Sequence, residues 1–407
     1  MGMNFVFAIG IMIIVGFFGG LVARKFKFPM ITGYIIVGML LSPSLLNAIP
    51  AETIKNLDVI VDIGLGIIAF LVGSNLRLES LRKFGKIIAW ITPLQSLGAW
   101  LLVTLGLALL GPFILKIEGA TFSQVYFPLA FVIGAVSCAT APAVTMAIVS
   151  EYRAKGPLTT SLLAVVALDD AVAIIATAIA LGISQPLVSG AGSASLFQIL
   201  GVSLLEIAGS VAVGLVFGFA LMYINRLVRT RELLLVTVFG MIMLCVGISD
   251  LLGVSSILAC MMAGFFLVNR MKGAETFHVI EGIEDLVFVM FFVLAGLHFD
   301  LGVMQTAGVL ALLIVLLRCT GKYTGTRIGA TISHAPDAIK KYLGLALLPK
   351  AGVTIGLILL AERAFPLFGT IMLNAVLASV IINELLGPPL SKYAIFKAGE
   401  ASVARGR

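Results

Sequence analysis

Asp169 and Asp170 stand side by side near the middle of PLTTSLLAVVALDDAVAIIATAIALGI, the stretch from Pro157 to Ile183. One aspartate at the centre of a bilayer costs about 2.5–3.5 kcal/mol on insertion scales, so two require a partner or a wet cavity. A helix-packing carboxylate kept neutral by a proton is the plainest account. Ion and proton exchange suits the pair better. Neighbouring negative charges resist joint ionisation, so one proton can leave when a cation arrives and return when it departs. Successive helical residues point about 100° apart. Asp170 can therefore face a cavity as ligand while Asp169 faces a neighbouring helix and a basic residue on it.

The preceding apolar stretch carries Ser137-Cys138-Ala139-Thr140-Ala141-Pro142-Ala143 near its centre. A proline there removes a backbone donor and disturbs the helix upstream, and carbonyls freed in that way can coordinate a cation. Pro142 marks a helix break, with a kinked but continuous helix as the alternative. Ser137 and Thr140 supply hydroxyls beside it. A counterpart lies downstream in Leu347-Leu348-Pro349-Lys350-Ala351-Gly352-Val353-Thr354, where Pro349 again marks a break.

Three basic residues fall inside apolar stretches: Arg318, Lys322 and Lys350. Arg318 and Lys322 are four apart and share a helix face. Lys322 lies about 9 Å from the end of its span at 1.5 Å per residue and can snorkel to the headgroups. Arg318 is deeper and needs a partner or water, and Lys350 is the most central. Asp62, Glu206 and Glu384 also lie within spans, and any of them could partner Arg318.

The elements that must hold these residues are membrane helices. The chain of 407 residues is 60% hydrophobic and 12% charged, against roughly 45–50% and 25% for a soluble domain. Stretches of about 20 apolar residues, the length of one crossing, recur from end to end. About thirteen spans are expected, at 4–22, 29–46, 58–76, 88–114, 124–150, 157–183, 197–225, 233–248, 251–268, 283–299, 304–328, 341–361 and 370–391. Ser249 and Asp250 are the expected turn between the eighth and ninth. The first span has no basic leader or cleavage site and reads as a retained helix. Cys138, Cys245, Cys260 and Cys319 all sit in apolar stretches as small hydrophobes, with no disulfide or metal-ligand spacing. No cofactor is expected.

Alternate loops carry Arg24, Lys25 and Lys27; Arg77, Arg82, Lys83 and Lys86; Arg153 and Lys155; Arg226, Arg229 and Arg231; Arg270 and Lys272; and Arg327, Lys340 and Lys341. The tail adds Lys392, Lys397, Arg405 and Arg407, whereas the opposite loops hold Lys55, Lys116 and Arg363. The positive-inside rule then puts the C-terminus in the cytoplasm and the N-terminus outside. A net charge of +7 reflects anchoring to anionic lipid, with no need for a nucleic-acid partner. The same parity gives spans four to six and eleven to thirteen opposite orientations. That is an inverted-topology repeat with a broken helix in each half, the arrangement in which transporters place substrate sites.

With these motifs the chain resembles the cation:proton antiporter superfamily, especially its bacterial sodium/proton branch. The likeness runs over nearly the whole length and includes Pro29-Met30-Ile31-Thr32-Gly33-Tyr34 with Gly38. It implies an all-α polytopic antiporter working by alternating access, not an enzyme. Asp170 would bind the cation, and Asp169 would exchange between a basic partner and protons. That partner is Lys350 in Leu-Pro-Lys-Ala or the Arg318/Lys322 pair, with Lys350 favoured and Arg318 assigned to structural support. The Asp–Asp pair, in place of the Asn–Asp of electroneutral relatives, implies electrogenic exchange. Relatives often carry Asp or Ser where this chain has Ala141, so the cation shell would lean on carbonyls, Ser137 or Thr140. Many members are homodimers joined through the non-core domain.

The expected organisation is scaffold and dimerisation helices in 1–86, core helices in 87–183, scaffold in 184–300, core in 301–395 and a short cytoplasmic tail in 396–407. Sodium or lithium against protons, across the inner membrane, is the leading activity. Potassium/proton exchange follows it, then a sodium-coupled organic-anion symporter of related fold. A gated channel is disfavoured because no repeated selectivity-filter segment is present.

Overall fold

The computed structural model describes residues 4–26, 28–79, 85–115, 117, 120–189, 196–225, 227–228, 230–271, 275–350 and 352–401. Of the basic residues that set the expected topology, Lys27, Arg82, Lys83, Lys116, Arg226, Arg229, Lys272, Arg405 and Arg407 lie outside the described residues, as do Ala351 and residues 402–407 of the expected tail.

The described chain is helical, and no strand occurs among the described residues. In order the helices are α1 (Phe5–Lys25), α2 (Met30–Leu41), α3 (Ala51–Leu57), α4 (Val59–Ser74), α5 (Lys86–Ile114), α6 (Phe127–Val136), α7 (Pro142–Glu151), α8 (Pro157–Val188) and α9 (Leu196–Asn225). They continue as α10 (Arg231–Leu251), α11 (Ser256–Arg270), α12 (Glu275–Leu297), α13 (Met304–Ile332), α14 (Asp337–Ala346), α15 (Val353–Ala364) and α16 (Gly369–Lys397). Eight described helical stretches are long and apolar enough to cross a membrane unaided, among them α1, α5, α8 and α16. The protein is an all-α, multi-pass membrane protein.

The turn expected at Ser249–Asp250 falls later. Helix α10 runs on to Leu251, Gly253 takes a left-handed φ of 65°, and the Ser255 hydroxyl caps α11 by accepting from Leu258 N. Serine is a strong N-cap and glycine alone adopts that φ at no steric cost. The chemistry of the turn thus sits at 252–255, and the ninth span starts at Ser256 rather than 251.

Two compact units make up the chain. One comprises Met1–Leu81, Leu181–Pro186 and Ala191–Gly302. Its helices close on small residues: a Cβ on Gly38 of α2 would lie 2.1 Å from the Val293 carbonyl of α12. In lipid such close backbone approach is what holds helices together.

The other comprises Arg82–Ala180, Leu187–Gly190 and Val303–Arg407, and it contains Asp169 and Asp170 together with Gln95, Thr140, Arg318, Lys322 and Lys350. Here α5 and α13 pack backbone to backbone. Gly321 meets Gly98, Gly325 meets Leu94 and Gln95, and Gly329 meets Trp90 and Ile91. Numbers fall along one helix as they rise along the other, so the two run antiparallel, as the leading helices of inverted repeats must.

Each half also contains an interrupted helix. The first stops at Val136 and restarts at Pro142, and the second stops at Ala346 and restarts at Val353. The two breaks meet, because Ala141 N donates to the Pro349 carbonyl at 3.1 Å. Helix α16 backs the second break, where a Cβ on Gly387 would lie 2.7 Å from Pro349 Cα. Beside the breaks, Ile91, Leu158, Leu162, Val165, Leu343 and Leu347 form a buried apolar cluster.

Helix α8, which carries the aspartates, is fixed at its start by Glu400. That carboxylate accepts from Leu158 N, Thr159 N and the Thr159 hydroxyl, each at 2.7 Å. A carboxylate on free amides at a helix N-terminus is doubly favourable, through hydrogen bonding and through the helix dipole. Within the expected tail, then, α16 extends to Lys397 and Glu400 is docked.

Candidate ion and proton site

Asp169 is fully buried and accepts three hydrogen bonds, one from each of three elements. The Gln95 amide of α5 donates to Oδ1, while the Thr140 hydroxyl of the first break and Lys322 Nζ of α13 donate to Oδ2, the last at 3.0 Å. Lys322 also donates to Gln95 Oε1 at 2.8 Å and to the Thr140 hydroxyl at 2.7 Å. An ammonium has three protons and a neutral amine two. Three possible acceptors around Nζ match the three protons of an ammonium.

This corrects the expected pairing. Lys350, favoured as the partner of Asp169, instead donates to the Ser379 hydroxyl of α16 at 2.8 Å. Lys322, expected to be able to snorkel, has no exposure. The glycines at 321, 325 and 329 press α13 onto α5, and the side chain one position along points inward to the Asp169 carboxylate. Those glycines were the available signal for choosing Lys322 among the three bases, and a glutamine within an apolar span was the signal for Gln95, the one of the two that sequence reasoning missed.

Arg318 joins the two breaks. Its guanidinium donates to the carbonyls of Ser137 (3.0 Å), Ala139 (2.6 Å), Leu348 (2.7 Å) and Pro349 (3.4 Å), and to Asn383 Oδ1 at 3.3 Å. Helices α6 and α14 end at these carbonyls, so one cation faces two negative dipole ends. Its bonded partners are neutral, and Asp62, Glu206 and Glu384 are not among them. The freed carbonyls at Ser137 and Ala139, expected to be open to a cation, are held by Arg318 here. The Ser137 hydroxyl is likewise turned back onto the Ile133 carbonyl at 2.7 Å. Thr140 is the break residue whose side chain reaches Asp169. Pro142 opens α7, and Pro349 lends its carbonyl to Ala141 and Arg318.

Asp170 differs from its neighbour. It is only 6% exposed, yet Oδ1 has no hydrogen-bond partner among the described residues. A buried carboxylate oxygen without a donor is costly, and an alkali cation is one ligand that would satisfy it. Among the described residues, those buried in this unit are three acids, Asp169, Asp170 and Glu384, and three bases, Arg318, Lys322 and Lys350. Fully ionised, the set is neutral. A cation entering such a low-dielectric cluster adds uncompensated charge unless a proton leaves.

Comparison with known proteins gives a consistent outcome. Residues 11–392 match the family described as sodium/hydrogen exchanger, transmembrane. The ammonium/H(+) antiporter subunit AmhT of Alkalihalophilus pseudofirmus is 24% identical, covering 93% of this chain and 92% of that protein. The Na(+)/H(+) antiporter NhaS4 of Synechocystis is 25% identical, covering 91% of this chain and 92% of that one. Cation/H(+) antiporter 18 of Arabidopsis thaliana is 26% identical, and the match spans only 38% of its length. In fold, the chain is similar to the sodium proton antiporter MjNhaP1 of Methanocaldococcus jannaschii, with a TM-score of 0.76, 19% identity, and coverage of 97% of this chain and 98% of that one.

Proposed function

The chain belongs to the sodium/hydrogen exchanger family of transmembrane cation/proton antiporters, and on that premise we propose that it exchanges sodium or lithium for protons electrogenically at Asp170 and Asp169. One observation carries the reading: Asp170 has a buried, undonated oxygen beside an Asp169 whose three donors include a fully bonded ammonium. Asp170 receives the cation. Charge balance then requires a proton to go, and the proton on Lys322, shared with Asp169, is the one adjacent to the arriving charge. When the cation leaves, the proton returns and the Lys322–Asp169 pair re-forms. The carboxyl of Asp170 can itself carry a second proton. Release of two protons against one cation makes the cycle electrogenic.

The unit holding the site acts as the moving core and the other unit as the scaffold through which two copies pair. The protein lies in the inner membrane with its N-terminus outside and its C-terminus cytoplasmic, an orientation that the loop charges support.

The test is a proteoliposome with a luminal pH dye and a pre-formed pH gradient, challenged in turn with sodium, lithium, potassium and ammonium. Sodium and lithium should dissipate the gradient; the ammonium arm is included because AmhT is named for that ion. Silence toward every cation from mildly acid to alkaline pH would refute antiport. For electrogenicity, a charge crossing the potential is worth about 2.3 kcal/mol per 100 mV. An imposed valinomycin potential must therefore displace the sodium/proton equilibrium, and an equilibrium indifferent to it would mean electroneutral exchange.

A further inference from the structure

Gln95 is the one described residue that bonds both members of the buried ion pair from a third helix. Its Oε1 accepts from Lys322 Nζ at 2.8 Å, and its Nε2 donates to Asp169 Oδ1 at 2.5 Å. The same Nε2 lies 2.7 Å from the Ser96 hydroxyl and 3.2 Å from the Thr92 carbonyl. The Thr92 carbonyl, which can only accept, fixes which end of the amide points where. With Nε2 tethered to its own helix, the carbonyl end can only face the ammonium. The residue is fully buried, and the glycine contacts of α13 leave Gln95 Cα 2.7 Å from where a Cβ on Gly325 would stand. The amide has little room to withdraw.

An amide so held sets the pair's protonation. It completes the triad of acceptors that an ammonium needs and a neutral amine does not. It also supplies the single donor among the described residues on Asp169 Oδ1, which a protonated oxygen there would oppose. The other groups around it are Asp169 from α8, Lys322 from α13 and, from the first break, the Cys138 thiol, which donates to the Ser96 carbonyl at 3.3 Å. Asp170 adjoins Asp169 on α8, and the charge of Arg318 acts on both members of the pair, although Arg318 and Lys350 make their hydrogen bonds elsewhere.

We propose that Gln95 is the positioning residue that holds the Lys322–Asp169 pair in its ionised form and so sets the pH range over which the pair surrenders its proton. The proposal rests on the exchange reading above, with Gln95 hydrogen-bonded to Asp169 and Lys322.

Two substitutions make opposite predictions. Gln95→Leu removes an acceptor from the ammonium, so the proton leaves at lower pH. Gln95→Glu keeps the shape but adds a negative charge beside the ammonium, so the proton is held to higher pH. A hydrogen bond to a charged group is strong enough to move either midpoint by about one pH unit. The exchange–pH profile in vesicles should move to the acid side for Gln95→Leu and to the alkaline side for Gln95→Glu. The pH dependence of melting of the purified proteins should be displaced in the same two directions. Gln95→Asn, too short to reach both partners, should resemble Gln95→Leu. A merely structural glutamine would lower rate and melting temperature and leave both pH midpoints in place, and that result would overturn the proposal. Melting is read without transport, so a wild-type protein that exchanges nothing refutes the functional reading while the melting midpoints still judge Gln95. If one variant fails to fold, a displacement of the other in its stated direction supports the proposal, and an unmoved midpoint refutes it.

Discussion

Lys322 Nζ lies 3.0 Å from Asp169 Oδ2, and neither side chain has any exposure. Such a pair is a poor stabilising device. Desolvating two charges costs as much as their attraction returns, and apolar residues of the same volume would often serve stability better. Its presence, fully buried among membrane helices, is better explained by work that the pair does when it opens.

Removing one partner should show this. Lys322→Gln leaves Asp169 charged with two neutral donors, and breaking a buried pair costs about 3–5 kcal/mol. The melting temperature should fall clearly. Adding Asp169→Asn should recover most of the loss because no charge is then stranded. Exchange should be lost or uncoupled in both. A double variant as unstable as the single one would show that the two side chains are not energetically paired.

Asp170→Asn should behave in the opposite way. The carboxylate it removes has an oxygen with no donor, so stability should hold or rise while exchange drops to the level of protein-free vesicles. Near-wild-type exchange by a well-folded Asp170→Asn protein would remove Asp170 from the ligand role.

Much of this was legible in the chain itself. The aspartate pair, the two proline breaks and the loop charges are local patterns, and each follows from the cost of polar groups in lipid. The choice among Lys350, Arg318 and Lys322 was not legible, because it depends on which face of α13 turns inward. Depth along the helix favoured Lys350, but depth says nothing of direction. The decisive feature is the contact of Gly321, Gly325 and Gly329 with α5, a relation between helices more than two hundred residues apart. Gln95 was missed for the same reason: a lone amide in an apolar span declares no partner. The turn after α10 was placed too early because Asp250 is polar, although Gly253 and Ser255 hold the geometry that ends one helix and starts the next.

Glu400 links the end of the chain to the helix that carries the aspartates. Losing an N-cap costs about 0.5–2 kcal/mol, and Glu400→Ala should reach the upper part of that range since three donors lose their acceptor. Amide hydrogen exchange at Leu158 and Thr159 should accelerate more than at Asp169, which lies three turns on. Uniform acceleration along α8 would mean that the cap supports the whole helix, and unchanged exchange that it supports nothing.

Arg318 presents the last case, and its geometry separates charge from shape. Four carbonyls, two from each break, accept from one guanidinium. Each buried carbonyl left without a donor costs about 1–3 kcal/mol, so Arg318→Gln should be severely destabilising and should loosen both breaks together. Arg318→Lys keeps the charge but replaces a planar fork of five donors with three on a single atom. It can satisfy the carbonyls of one break and not both. Melting should therefore recover only partly in Arg318→Lys. The ratio of charge to cation, measured by current and isotope uptake in the same vesicles, should stay at the wild-type value in whatever fraction remains folded, because the proton on Lys322 is untouched. Full recovery of stability by lysine would show that Arg318 acts through charge alone. A changed charge-to-cation ratio would instead place Arg318 among the groups that carry the exchanged proton.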